Sequence, residues 1–101
     1  MSKTIWKYPV GLSVGWIQTL PKGSHVLSVG VRDDRPFMWV MHEGVEKTEA
    51  RRFSVYGTGH EIRHHPGRFV GTFQMKSLVF HFFEDGVIHK TSWVDGVPDT
   101  R

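Results

Sequence analysis

Leu78-Val79-Phe80-His81-Phe82-Phe83-Glu84 is the most apolar run in the chain, and Asp85-Gly86 follows it directly. The run is too short for a buried helix, is rich in aromatics and ends on turn chemistry, so it reads as a β-strand. In a strand, Val79, His81 and Phe83 share one face, and Phe80 and Phe82 share the other. A strand apolar on both faces is either central in its sheet or has one face covered by another subunit. Asp-Gly is a strong two-residue hairpin signal, so Val87–Val94 is expected to pair back on this strand. Immediately upstream, Phe69–Gln74 reads as the preceding strand, with Phe69, Gly71 and Phe73 on one face and Val70 and Thr72 on the other. Met75-Lys76-Ser77 forms the short connection between them.

The same reading extends to the rest of the chain. Thr4–Tyr8 alternates, with Trp6 and Tyr8 on one face, and Pro9 ends it or places it at an edge. Ser13–Leu20 is a second strand weakened by Gly15, and Pro21-Lys22-Gly23-Ser24 is a turn. In His25–Arg32, Leu27, Val29 and Val31 alternate with Ser28, Gly30 and Arg32. Asp33-Asp34-Arg35-Pro36 has hairpin length, and Phe37–His42 is apolar on both faces, as in a central covered strand. His42-Glu43-Gly44 opens a polar loop through Glu49, with room for one short helix at residues 44–49. In Ala50–Tyr56, Phe53 and Val55 face one way and Arg52 and Ser54 the other. Nothing shows a 3.6-residue apolar period over two turns. The expectation is a single all-β domain over residues 1–94, an antiparallel sandwich or small barrel of about seven or eight strands, with a polar tail over 95–101.

Composition removes several function classes. The chain has 101 residues and no cysteine, so disulfide frameworks, thiolate metal sites and cysteine nucleophiles are excluded. The N-terminal stretch has no apolar core of signal-peptide length and no run reaches transmembrane length, which predicts a cytoplasmic protein with no membrane partner. Thirteen basic and ten acidic residues give a net charge of +3. That mild excess fits an ordinary solvated surface better than a nucleic-acid footprint.

The polar chemistry concentrates in Tyr56–Gln74, which holds three of the seven histidines and four of the eleven glycines. Gly57-Thr58-Gly59-His60 follows a strand; its amides either form an anion-binding nest or a plain turn at a sheet corner. There is no Gly-Lys-Ser/Thr and no following helix, so it is not a P-loop. His60, His64 and Glu61 have metal-ligand chemistry, but Pro66 and the flanking glycines disfavour the helix that would align them. No metal or other cofactor is expected. The candidate ligand-binding residues are Gly57, Thr58, Gly59, His60, Arg63, Arg68 and His81. If the loop folds over the aromatic strand, His60, His81 and Arg68 converge into the acid/base and phosphate-stabilising set of a metal-independent phosphodiesterase. No Gly-x-Ser-x-Gly and no paired carboxylates are present, and no residues are assigned as catalytic.

Three segments together, Tyr56-Gly-Thr-Gly-His60, Pro66-Gly-Arg-Phe-Val-Gly-Thr-Phe-Gln74 and Leu78–Glu84, resemble a family of small bacteriophage- and prophage-encoded proteins of uncharacterised function. Lys3-Thr-Ile-Trp-Lys-Tyr-Pro9, the Pro21/Gly23 turn, Leu27-Ser28-Val29 and Trp39 belong to the same pattern, so the resemblance covers residues 3–84. The chain departs from it after Glu84, where such proteins often stop. The resemblance implies a phage accessory protein acting in the bacterial host cytoplasm. The favoured reading is a non-catalytic binding protein, possible as a homodimer, that blocks a host defence or regulatory protein or sequesters a small nucleotide. The alternatives are a nucleic-acid-binding β module using Arg51, Arg52, Arg63, Arg68 and exposed aromatics, and the phosphodiesterase above.

Overall fold

The computed structural model of the chain describes residues 2–88 and the backbone of two short strands beyond them. Strands β1 (Thr4–Pro9), β2 (Val14–Pro21), β3 (His25–Arg32), β4 (Arg35–His42), β5 (Thr48–Gly57), β6 (Arg68–Met75) and β7 (Leu78–Ile88) carry the fold. They form a three-stranded sheet in the order β1-β4-β3 and a four-stranded sheet in the order β2-β5-β7-β6, with every pairing antiparallel. No helix occurs among the described residues; residues 44–47 lead directly into β5, which already contains Thr48 and Glu49. The fold is therefore a small all-β, two-sheet domain, as the strand pattern predicts.

The core lies between the sheets. Leu20, Val26, Met38, Val40, Phe53, Val55, Phe73 and Phe82 are buried there, with Val10 from the β1–β2 connection. Trp16, Phe53 and Phe82 stack in series, with centroids 4.8 Å apart for Trp16–Phe53 and 5.4 Å for Phe53–Phe82. Beyond simple area burial, stacked pairs of this kind add about 0.5–1.5 kcal/mol each. The two sheets meet along β3 and β6, where a side chain on Gly71 would press on Val29 Cγ1 at 3.0 Å.

Four single-residue bulges break the strict alternation of the strands. They lie at Gly15 in β2, Leu27 in β3, Val70 in β6 and Asp85 in β7. Each flips the faces beyond it. The bulge at Leu27 lets both Val26 and Val29 reach the core and leaves Leu27 itself exposed. The bulge at Val70 separates Phe69, which faces outward, from Gly71 and Phe73, which face inward. The shared face expected for Phe69 and Phe73 is thus corrected.

The turn readings divide in the same way. A hairpin does join β3 and β4, but it is shorter than the expected four residues: Asp33 and Asp34 both have positive φ, 52° and 60°, and Arg32 already pairs with Arg35, so the loop is a two-residue primed turn. Asp85-Gly86 makes no hairpin. Strand β7 continues through it to Ile88, with Asp85 bulged and Gly86 at φ 105°. Residues Val87 and Ile88 therefore pair with Arg51 and Ala50 of β5 rather than folding back on β7. The expected return strand lies partly outside the described residues; within it, Trp93–Val94 (β8) pairs with Val97–Pro98 (β9), in the segment read as a tail. Phe37–His42 is central in its sheet as expected, with Met38, Val40 and His42 buried and Phe37, Trp39 and Met41 half-buried on the other face. His42 closes this strand inside the protein instead of opening a solvated loop.

Gly67 has φ 94°, and a Cβ there would fall 2.7 Å from Asp85 Cα and closer still to the Glu84 carbonyl oxygen. Gly23 also has a positive φ, 80°, but faces open space. Gly67→Ala is expected to cost at least about 3 kcal/mol, combining left-handed strain with overpacking against backbone. Gly23→Ala should cost only about 1–2 kcal/mol, from strain alone. Urea unfolding of both variants checks the contrast.

Candidate functional site

The residues singled out in the sequence separate onto two surfaces. Gly57-Thr58-Gly59-His60 is a four-residue turn in which the His60 amide donates to the Gly57 carbonyl at 3.0 Å. Its third residue, Gly59, has φ 91°, which only glycine adopts without strain. The Thr58 amide donates to the Val79 carbonyl, and the Gly57 amide donates to His60 Nδ1 at 3.3 Å. Three of the four amides are thus engaged within the protein, so the segment is a turn at a sheet corner and offers no ring of free donors to an anion.

His81 stands on the outer face of the four-stranded sheet beside that turn. Its Nε2 lies 2.8 Å from Thr58 Oγ1 and its Nδ1 lies 2.9 Å from Thr72 Oγ1. Thr58 Oγ1 also lies 3.4 Å from the Val79 carbonyl. One proton arrangement satisfies every group: Thr72 donates to Nδ1, Nε2–H donates to Thr58, and Thr58 donates to Val79. The imidazole links loop to sheet, and its hydrogen bonds were signalled by Thr58 and Thr72.

Arg68 lies on the opposite face. Its Nη2 donates to Glu84 Oε2 at 2.7 Å and to the Val26 carbonyl at 3.3 Å. Glu84 and Arg68 are paired across β6 and β7 on the inner side, whereas His81 projects outward. The set of His60, His81 and Arg68 needed for phosphodiester chemistry is therefore not brought to one point. Arg63 sits in the exposed loop and pairs with Glu61 at 3.6 Å. Among the described residues no three His, Asp or Glu side chains gather as a metal-ligand set.

Glu84 is the centre of a buried ion network that sequence reading missed. Arg51 Nη1 donates to Glu84 Oε1 at 2.7 Å, and Arg51 Nε donates to Glu49 Oε2 at 3.1 Å. The Arg51 and Glu84 side chains are each only 9% exposed. The signal available was a charged residue at each inward position, Arg51 two before Phe53 and Glu84 two after Phe82. Burial alone would raise the Glu49 carboxyl, but hydrogen bonds from the Gly23 amide and Arg51, with the charges of Arg51 and Lys22, hold its pKa below the usual value of 4.5.

The outer face of the four-stranded sheet carries an aromatic row. Phe83 makes edge-to-face contacts with Tyr56 at 5.9 Å and with Phe69 at 5.5 Å. Phe69 is 53% exposed, and Val14 and Ile17 of β2 extend the same face.

Glu84→Gln is expected to destabilise the domain by about 3–5 kcal/mol, because it leaves the buried Arg51 undercompensated. Arg68→Ala, whose head is largely in solvent, should cost at most about 1 kcal/mol. Urea midpoints test both. The depressed Glu49 pKa makes a second prediction. Its contribution is present above about pH 4.5 and is lost as pH falls through the lower folded value. Glu49→Gln should therefore lower the urea midpoint at pH 7 and converge on the parent protein in acid.

None of the curated proteins and no solved structure matches this chain. A family model described as "Domain of unknown function (DUF7352)" matches residues 1–91, spanning both large sheets and every candidate site residue. The chain belongs to the DUF7352 family.

Proposed function

We propose that this domain is a non-catalytic binding protein whose contact surface is the outer face of the four-stranded sheet. The observation that carries the reading is the Tyr56–Phe83–Phe69 aromatic row, with Phe69 standing in solvent beside Val14 and Ile17. Aromatic side chains clustered on a sheet face are the anchors that protein interfaces use. His81 supports the same reading. Its two nitrogens are held by Thr58 and Thr72, so it stiffens the surface and is not poised as a base. Arg52, about half exposed, lies on the same face, and Arg63 stands on the neighbouring loop. Each stands near a carboxylate, Asp85 and Glu61 respectively, so the rim offers a partner mixed polar contacts around the apolar centre.

The resemblance to phage- and prophage-encoded proteins supplies the setting. The partner is then a host defence or regulatory protein in the bacterial cytoplasm, blocked by occupancy of its surface. The loop at Gly57–His60 no longer supports a nucleotide site, because its amides are spent internally.

Phe69→Ser is the decisive variant, since it removes an exposed anchor without opening the core. The expected result is an unchanged unfolding midpoint and a loss of about 30-fold in affinity for a host protein identified by cross-linking in cells, the effect of a hot spot worth about 2 kcal/mol. Lys7→Gln, on the other sheet, should leave that affinity intact. Sedimentation showing a Phe69-dependent dimer at micromolar concentration, with no host protein cross-linked, would reassign the face to a second copy of this chain.

A further inference from the structure

Four strands lie at sheet edges, β1 and β3 in the three-stranded sheet and β2 and β6 in the four-stranded one. An open edge presents unpaired backbone N–H and C=O groups, and proteins guard it with bulges or by packing something against it. Strands β2, β3 and β6 each carry a bulge, and β3 and β6 also pack against each other at the seam. Strand β1 runs from Thr4 to Pro9 in unbroken register with β4, and its other edge has no strand beside it among the described residues. We propose that this edge binds a second copy of the chain: two β1 strands pair antiparallel about a two-fold axis at Trp6 and join their three-stranded sheets into one continuous sheet. This inference does not rest on the outer face of the four-stranded sheet, which is built from other residues.

The ladder decides which groups the edge offers. The Val10 amide donates to the Pro36 carbonyl at 3.0 Å, and this pair continues the β1–β4 register. Hydrogen-bonded pairs alternate with non-hydrogen-bonded ones in an antiparallel ladder, so Thr4, Trp6 and Tyr8 direct their backbone groups at β4. Ile5, Lys7 and Pro9 direct theirs outward. Pro9, which lacks an N–H, stands where no ladder bond is lost by that lack. The edge is apolar on both faces: Ile5 is 54% exposed on one and Trp6 is 45% exposed on the other.

Charge selects the register. A two-fold antiparallel pair sets one residue opposite its own copy. Centring on Lys7 sets the two lysines opposite each other, and centring on Ile5 sets Lys3 opposite the second copy's Lys7; like charges in those positions repel. Centring on Thr4 or Tyr8 leaves half of the strand unpaired. Centring on Trp6 avoids all of these. Ile5 then faces Lys7, and their outward backbone groups exchange a reciprocal pair of N–H···O=C bonds on each side of the axis. Trp6 meets its own copy in the non-hydrogen-bonded geometry, the closer of the two, with Cα atoms about 4.5 Å apart. Cross-strand aromatic pairs stabilise a sheet in that position. Two contacts within the chain prepare the edge. His42 braces Trp6, with ring centroids 4.3 Å apart, and Lys7 is drawn back over its own Phe37 ring, with Nζ 4.4 Å from the centroid.

The test follows sedimentation and backbone amide exchange of the full chain from about 10 to 1,000 µM, a span suited to an interface at the small end of the size classes. The expected result is a reversible dimer in which the Ile5 and Lys7 amides gain protection with concentration. The amides of Trp6 and Tyr8, already bonded to β4, should not change. Ile5→Pro deletes an outward donor and leaves the β1–β4 ladder intact, so it should abolish the dimer at an unchanged unfolding midpoint. Trp6→Ser should weaken the dimer severalfold, and Phe69→Ser should leave it unchanged. The chain has no cysteine, so Trp6→Cys reports the register: oxidation should link the two copies, whereas Leu12→Cys, exposed but off the edge, should link them far more slowly. A chain that stays monomeric at the highest concentration overturns the proposal, whether its Ile5 and Lys7 amides remain open or are covered by a host protein in cell extract. A dimer that survives Ile5→Pro at an unchanged midpoint also overturns it, as does one in which Trp6→Cys cross-links no faster than Leu12→Cys.

Discussion

The carboxylate of Glu84 ties the two sheets together. One oxygen takes Arg51, which also reaches the Ser24 carbonyl at the start of β3, and the other takes Arg68, which also reaches the Val26 carbonyl within β3. Both arginines belong to the four-stranded sheet, and both carbonyls belong to the three-stranded sheet or the turn that enters it. The sheets share no ladder hydrogen bonds. Apolar burial across the core is non-directional, whereas charge-assisted bonds fix particular atoms against one another. A buried ion pair gains little net stability over a well-packed apolar pair. Its consequence here is geometric: it holds β3 against β6 at the height where Val29 meets Gly71.

That seam explains which parts of the fold were legible. Strand existence followed from alternation and turn dipeptides, whereas the β3–β4 connection, read as the four residues Asp33–Pro36, is only Asp33-Asp34, because both accept positive φ and Arg35 and Pro36 already belong to β4. The misreadings share one cause. A glycine or a one-residue excess serves a bulge as readily as a turn. Asp85-Gly86 carries the hairpin dipeptide, but β5 extends to Thr48, and β7 must run to Ile88 to pair with it. The length of a partner strand is a non-local property that a dipeptide cannot report. The bulge at Val70 is similar: Phe69-Val70-Gly71-Thr72-Phe73 alternates without fault in sequence, yet Phe69 and Phe73 end on opposite faces.

The candidate site was legible in its parts more than in its assembly. The loop at Gly57–His60 does lie beside His81, as a fold-over of that strand requires, and threonine hydroxyls engage both imidazole nitrogens. Arg68 was drawn into the same set because it is near in sequence, but strand parity decides the matter. Arg68 pairs with Glu84 and His81 with Thr72, and the two pairs lie on opposite sides of the sheet.

The proposed contact surface lies where the fold has least need of its residues. The Glu84 network and the Trp16–Phe53–Phe82 stack occupy the inner side of the four-stranded sheet. They leave its outer face free to carry the exposed Phe69, which contributes little to folding. At the far end of β4 the core gives way to His42, against which Trp6 packs edge-on at 4.3 Å. A small domain has only a few kcal/mol of stability to spare. An unpaired buried imidazole draws on that reserve, and a solvent-facing phenyl group forgoes a gain that burial would bring. The exposed Phe69 is the feature of the four-stranded sheet that folding alone does not require, which is the ground for placing the proposed contact surface there.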